Sequence, residues 1–201
     1  MQKAKALVSK GFASYAESFK VSHPIKFLIQ KFDYLENGQE ENFSVSIAGR
    51  VMAKRVMGKI AFFTICDQEG QIQLYLDKRI INYNLENQKL LSFEDLKEIV
   101  DIGDWIGVYG TIKKTNKGEL SIKVEKWEML SKSLQPLPDK WHGLTDIEKR
   151  YRQRYLDLVV NPHSKNVFKT WAKCISFIRK WLDNRNFLEI ETPILQSEAG
   201  G

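Results

Sequence analysis

Between Phe43 and Met129 the side chains alternate, apolar against small or polar, in separate short runs, and a period of two sustained over so much chain demands a sheet with one buried face. In the first run Val45, Ile47, Val51 and Ala53 share one parity, Gly49 stands where a bend or bulge is expected, and Met57-Gly58-Lys59 turns the chain. The second run extends from Ile60 to Asp67 and the third from Gln71 to Leu76, with Gln68-Glu69-Gly70 as the hairpin turn between them. Trp105 to Lys113 resumes the alternation through Ile106, Val108 and Ile112, Thr115-Asn116-Lys117-Gly118 turns it, and Leu120, Ile122 and Val124 carry a fifth strand. A different period separates the third run from the fourth: Ser92 and Asp95 have the spacing of a capping box, and Phe93, Leu96 and Val100 follow at helical intervals.

Three strands, a helix and two more strands is the order of an OB-fold. Closing the five strands into a small barrel removes their edges and leaves the face of the early strands to bind oligonucleotides. A small barrel with no ligand satisfies the same pattern.

Helical periods flank the strands. Pro24 opens a predicted helix over 24–35 with Ile25, Leu28, Ile29 and Phe32 as its apolar stripe. After Met129 the stretch SKSLQPLPDKWHG holds two prolines and no period, which marks a linker. Thr145 and Glu148 then have capping-box spacing, and the helix they open places Ile147, Tyr151, Tyr155 and Leu158 along one side, with Lys149, Arg150, Arg152 and Arg154 on the rest. Asn161-Pro162 starts a helix of about twenty residues through Val167, Trp171, Ile175, Ile178 and Leu182, which Asn184 to Asn186 end because Asn tolerates the left-handed conformation. Phe187 to Leu195 is expected to be extended, and Pro193, lacking a donor, predicts an edge, a bulge or a subunit interface. The organisation read from these signals is a helical segment over 1–42, the OB-fold over 43–131, linker and basic helix over 132–161, and the start of another domain over 162–201.

The chain carries 31 Lys and Arg against 25 Asp and Glu, and most of its net charge of +6 comes from residues 131–201, where twelve basic side chains face eight acids. Such a charge suits a nucleic-acid partner without requiring one. No run of about eighteen apolar residues occurs, so no membrane span and a cytoplasmic location are expected. Cys66 and Cys174, with no CxxC pair and no clustered His, are expected to be two small buried side chains rather than part of a disulfide or zinc site.

No phosphate-cradling glycine loop, Ser/His/Asp set or metal cluster is visible, and Gly200-Gly201 is too short to assign. Glu189 and Glu191, two apart, fit an exposed strand face better than acid/base work. The candidates for binding lie on the barrel: Phe62 could stack on a base while Gln73, Arg50 and Glu119 read its edge, the usual manner of single-stranded RNA recognition. Taken alone, the residues favour packing into the barrel interior for Phe62, because a barrel must fill its interior. For Lys149, Arg150, Arg152 and Arg154 the alternatives are phosphate contact and a solvated basic face.

The run AGRVMAKRVMGKIAFFTICDQEGQIQLY, the turn NKGELSI, the linker PLPDKWHGLTDIEKRYRQRYLDL and the segment NFLEIETPIL together resemble the amino-terminal half of class II lysyl-tRNA synthetases, from about Pro24 to Gly201. Aspartyl and asparaginyl relatives share the barrel and the RYLDL ending, but the PLPDKWHG linker is more similar to the lysyl group. The resemblance implies an α+β chain: a five-stranded OB-fold anticodon-binding barrel with flanking helices, followed by the start of a class II α/β catalytic domain. It implies that Phe62 stacks on the middle anticodon base, a U, with Gln73 and Glu119 contacting that base and Arg50 beside them. It implies that Pro162 to Leu195 correspond to the family's first signature motif, with Pro193 as its proline and a homodimer interface as its role.

In such enzymes ATP and Mg²⁺ activate lysine before its transfer to tRNA-Lys. The motifs that bind them would lie beyond Gly201, so this chain is expected to bind tRNA without charging it. Two other readings fit less of the pattern: a free-standing OB-fold module for RNA or single-stranded DNA, and a dimerising paralogue that ignores RNA.

Overall fold

A computed structural model describes residues 2–84, 90–138 and 144–193, in two compact units, Met1–Pro136 and Leu137–Gly201. In the first, strands β1 (Glu40–Met57), β2 (Ile60–Cys66), β3 (Gln71–Asp77), β4 (Trp105–Lys114) and β5 (Leu120–Ser131) close into a ring in the order β1-β2-β3-β5-β4. Neighbours are antiparallel except β3 and β5, which run parallel from Gln73 opposite Ser121 to Leu76 opposite Val124. The five strands expected from alternation are therefore all present, with ends shifted by a residue or so.

Parity decides what fills the ring. Ile47, Val51, Ala61, Ile65, Leu74, Val108 and Val124 are each fully buried, whereas the residues between them on each strand face outwards. Each Val, Leu or Ile side chain so enclosed contributes about 1.5–3 kcal/mol. Trp127 completes the core and donates its indole N–H to the Ser92 carbonyl at 3.2 Å.

The expected bulge in β1 lies at another place than Gly49: the register with β2 shifts between Val51 and Ala53. Gly49 instead permits close approach, since a Cβ there would stand 3.0 Å from the Cβ of Ile65 and 3.1 Å from the Cys66 carbonyl oxygen. Gly58 has the φ of 62° that the tight β1–β2 turn requires. In the β2–β3 turn Asp67 accepts from the backbone N–H groups of Glu69 and Gly70, both at 2.8 Å, and from Ile25 at 2.9 Å.

Four helices pack around the ring: α1 (Gln2–Ser9), α2 (Ile25–Lys31), α3 (Lys78–Tyr83) and α4 (Phe93–Ile99). The helix expected over 24–35 is shorter at its far end, because Phe32 leaves the helical region at φ −110°, ψ 19°, and Pro24 is its N-cap rather than its first turn. Ile25, Leu28 and Phe32 are buried as the stripe predicts, while Ile29 is 38% exposed. The capping box at Ser92 and Asp95 is formed in both directions. Helices α1 and α3 have no strong period and the alternation hides α3, whose cap is Asp77, the last residue of β3.

A buried ionic cluster centred on Lys132 lies within this unit. The Lys132 ammonium, 4% exposed, donates to Asp104 at 2.6 Å, to Asp101 at 2.8 Å and to the Ile99 carbonyl at 2.8 Å. Asp104 is fully buried and also accepts from the backbone of Asp101 and Ser133.

In the second unit the basic helix is two helices, α5 (Ile147–Arg152) and α6 (Arg154–Val160), broken at Gln153, where φ is −117° and ψ 53°. The N-cap is Asp146, which accepts from the Lys149 N–H, rather than Thr145, so the cap is displaced by one residue and, with Lys149 at the third helical position, the expected box does not form. Helix α7 (Pro162–Asp183) begins with Pro162 at its start and is followed by Asn186 at φ 62°, as the sequence predicts. The segment after it is a correction: over 187–193 no strand forms, because a ladder needs a partner and none among the described residues pairs with it. Leu195 and Gly200-Gly201 lie outside the described residues.

The expectation of buried cysteines also fails. Cys66 has the outward parity of β2 and is half-buried, and Cys174 is exposed on α7, a helix in which only Ser164 is buried.

Candidate nucleic-acid interface

Ala61, Phe62 and Phe63 are consecutive on β2, and the pleat sends them to opposite sides. Ala61 and Phe63 fill the core at 0% and 1% exposure, and Phe62 stands on the outer face. Its neighbours across the ladder are Tyr75 on β3, with ring centroids 5.7 Å apart and planes at 67°, and the register position of Arg55 on β1. An aromatic ring held edge to face by a second ring has a fixed plane on which a base can stack.

One residue pair along, Gln73 faces outwards and bridges two strands. Its amide nitrogen donates to the Glu119 carboxylate, and its amide oxygen accepts from the Ser121 hydroxyl at 2.9 Å. Glu119 is positioned by the β4–β5 turn, where Gly118 has φ 86° and the Thr115 N–H donates to the Glu119 carbonyl at 2.9 Å. Phe62, Gln73 and Glu119 thus come together on the outer face of β2, β3 and the start of β5, with a donor and an acceptor beside an aromatic ring.

Arg50 is placed apart from them. It is opposite Cys66, four residues along β2 from Phe62, a separation of about 13 Å at the strand rise. Its guanidinium donates to the Gly103 carbonyl at 2.9 Å and lies 5.4 Å from the Trp105 ring, and burial pushes its pKa down. The one-residue register shift after Val51 gives the position opposite Phe62 to Arg55 rather than to Lys54, and Arg50 pairs with Cys66 before the shift begins.

Several residues of this surface escape the motif-by-motif reading. Tyr75 shares the parity of Gln73, so alternation alone could have found it. Lys113 and Lys123 extend from β4 and β5 to Glu40 at the start of β1, each ammonium 2.6 Å from a different carboxylate oxygen, and Lys113 also lies 4.8 Å from the Tyr75 ring. These two donated hydrogen bonds hold the Glu40 carboxyl below the usual carboxylate range. Only ring closure brings β1, β4 and β5 together here, which no local pattern encodes.

The second unit uses most of its basic residues internally. Asp157, fully buried, accepts from Arg150 at 2.9 Å, from Asn161 at 2.6 Å, from Ser164 at 3.2 Å and from Arg154. Burial pulls its pKa up, yet the hydrogen bonds from Asn161, Arg150, Arg154 and Ser164 prevail and hold it at about 2. Arg152 pairs with Glu148 at 2.8 Å on an exposed face, and Lys149 is exposed with no carboxylate paired to it among the described residues. Pro193, exposed, is the last described residue. Arg179 and Glu189 pair at 2.9 Å, which accounts for one of the two spaced acids.

Comparison with known proteins agrees with this division. The family described as OB-fold nucleic acid binding domain matches residues 45–130, and the family of class II tRNA synthetases (D, K and N) matches residues 146–201. Over its whole length the chain is 92% identical to a lysine–tRNA ligase of Prochlorococcus marinus strain MIT 9312, and 55% identical to a lysine–tRNA ligase of Synechococcus sp. strain RCC307. It spans 39% of the first of these relatives and 38% of the second. An OB-fold ring that presents an aromatic, an amide and a carboxylate on one face is thus followed by a class II match, and over its whole length the chain is similar to the corresponding part of lysine–tRNA ligases.

Proposed function

We propose that this chain is the tRNA-selecting portion of a lysine–tRNA ligase and that the outer face of β2, β3 and β5 recognises the anticodon of tRNA-Lys. The observation that carries the proposal is the outward placement of Phe62, edge to face with Tyr75 and next to the hydrogen-bonded Gln73 and Glu119. A uracil stacked on Phe62 offers a carbonyl acceptor beside an N–H donor. An amide nitrogen and a carboxylate complement that edge, and cytosine, which presents an amino donor there, leaves the amide without an acceptor. Ser121 holds the Gln73 oxygen, so the nitrogen stays turned towards Glu119 and the base.

Other groups take supporting roles in this reading. Lys149 and Arg152, exposed on α5, contact phosphates, while Arg150 and Arg154 hold the α5–α7 start around Asp157. Arg50 lies beyond the stacked base, within reach of a flanking nucleotide. The exposed apolar residues of α7, Trp171 and Phe177 among them, and the segment to Pro193 supply the homodimer contact of the whole ligase. The cytoplasm, where tRNA is charged, is its compartment.

Charging itself uses ATP and Mg²⁺ in this family. Among the described residues no group of three or more His, Cys, Asp or Glu side chains is placed to hold a metal ion. The face of β2, β3 and β5 is expected to bind tRNA.

The test is a comparison of anticodon stem-loops carrying UUU and UCU. A preference of about tenfold or more for UUU, the scale of 1–3 kcal/mol for one base's discrimination, is expected. Equal affinities would instead favour a free-standing module that binds RNA or single-stranded DNA by charge and stacking, and no RNA binding at all would leave a dimerising protein.

A further inference from the structure

A surface that binds a polyanion carries, beside its stacking ring, a carboxylate that occupies two lysines. We propose that Glu40 is an electrostatic mask, a positioning residue that compensates Lys113 and Lys123 and so suppresses charge-driven binding of non-cognate single-stranded RNA. The inference rests on the reading of this face as an RNA site.

The geometry is specific. Glu40 sits at the start of β1, opposite Lys113 in the β1–β4 ladder, and its two oxygens are divided between Lys113 and Lys123, each at 2.6 Å. Both lysine side chains are mostly covered, at 22% and 29% exposure, and both lie next to Tyr75, Lys113 over its ring and Lys123 opposite it in the β3–β5 ladder. The three charges sum to +1 where the two lysines alone would present +2. A phosphate that approaches must either displace Glu40 or accept the weaker field. Binding then depends on what only the right base supplies, stacking on Phe62 and hydrogen bonds to Gln73 and Glu119. A repulsive group set against wrong partners is a standard source of specificity, and here it costs little because Glu40 is itself fully paired.

The experiment uses Glu40→Gln in the 201-residue chain, which removes the charge and keeps the side chain's shape, with a urea midpoint to confirm folding. Binding of a twelve-residue oligo(A) and of UUU and UCU stem-loops is measured across a salt series. We expect oligo(A) affinity at low salt to rise about tenfold and the slope of log K against log salt to steepen by about 0.7, the worth of one further phosphate on a single strand. The UUU preference should fall correspondingly. The same Glu40→Gln change made on Lys113→Ala/Lys123→Ala should leave slope and affinity unmoved. An unchanged slope in Glu40→Gln overturns the mask, and so does a steeper slope that persists without the two lysines. If the wild-type chain shows no UUU preference but Glu40→Gln still steepens the slope through Lys113 and Lys123, the anticodon reading fails and the mask stands.

Discussion

Phe62 and Phe63 are covalent neighbours of the same chemistry, and the β2 pleat gives one to the solvent face and the other to the core. Their alanine variants should therefore fail differently. Phe62→Ala is expected to leave the urea midpoint close to wild type and to weaken UUU stem-loop binding by about 1–3 kcal/mol, the worth of one stacked base. Phe63→Ala should destabilise the fold by about 3–5 kcal/mol. A Phe62→Ala protein that loses stability and keeps its RNA affinity would put that ring in the core. The Ala61-Phe62-Phe63 run could not settle which ring points where, because either parity places an aromatic inside. The register fixed by Ile65 and by the pairing with Leu74 and Leu76 decides it, and those are contacts between strands rather than properties of the run. Lys132 makes a second residue-scale prediction. Lys132→Met leaves the fully buried Asp104 without its cation and should cost about 3–5 kcal/mol in urea unfolding.

At the scale of elements, what the sequence encodes locally is what the structure repeats. Alternation, the Ser92–Asp95 box, the Pro162 start and the Asn186 stop are interactions among residues a few positions apart, and all are found where expected. Helix α3 and the break at Gln153 are different in kind: six residues after a strand, and a kink set by the arginines that converge on Asp157, leave no periodic trace. That convergence has a pH signature. Asp157 has its folded pKa held at about 2 against 3.8, so its contribution to stability is complete above pH 4 and is lost as pH falls through 2. Wild type should be more stable than Asp157→Asn at pH 6, with the difference shrinking between pH 4 and pH 2 in far-UV circular dichroism melts. A difference that stays constant over that range would show that the carboxylate's charge is not what holds α5, α6 and α7 at their junction.

For the whole molecule, the ring brings together on one outer face residues that are up to 83 positions apart, Glu40 and Lys123 at the extreme. The resemblance to lysyl-tRNA synthetases named Phe62, Gln73 and Glu119, and the structure places them side by side. Arg50, named with them, lies apart, since it pairs with Cys66, four residues along β2 from Phe62. Tyr75 follows from the alternation of β3 and Arg55 from the β1–β2 register, whereas the Glu40 pair with Lys113 and Lys123 emerges only from closure. The central claim is that the middle anticodon base rests on this face, and a UUU stem-loop with 4-thiouridine at its middle position tests it most directly. After near-ultraviolet irradiation and digestion, the account predicts an adduct on the peptide spanning Ile60 to Asp77, lost in Phe62→Ala. An adduct confined to the helices between Ile147 and Asp183 would contradict it.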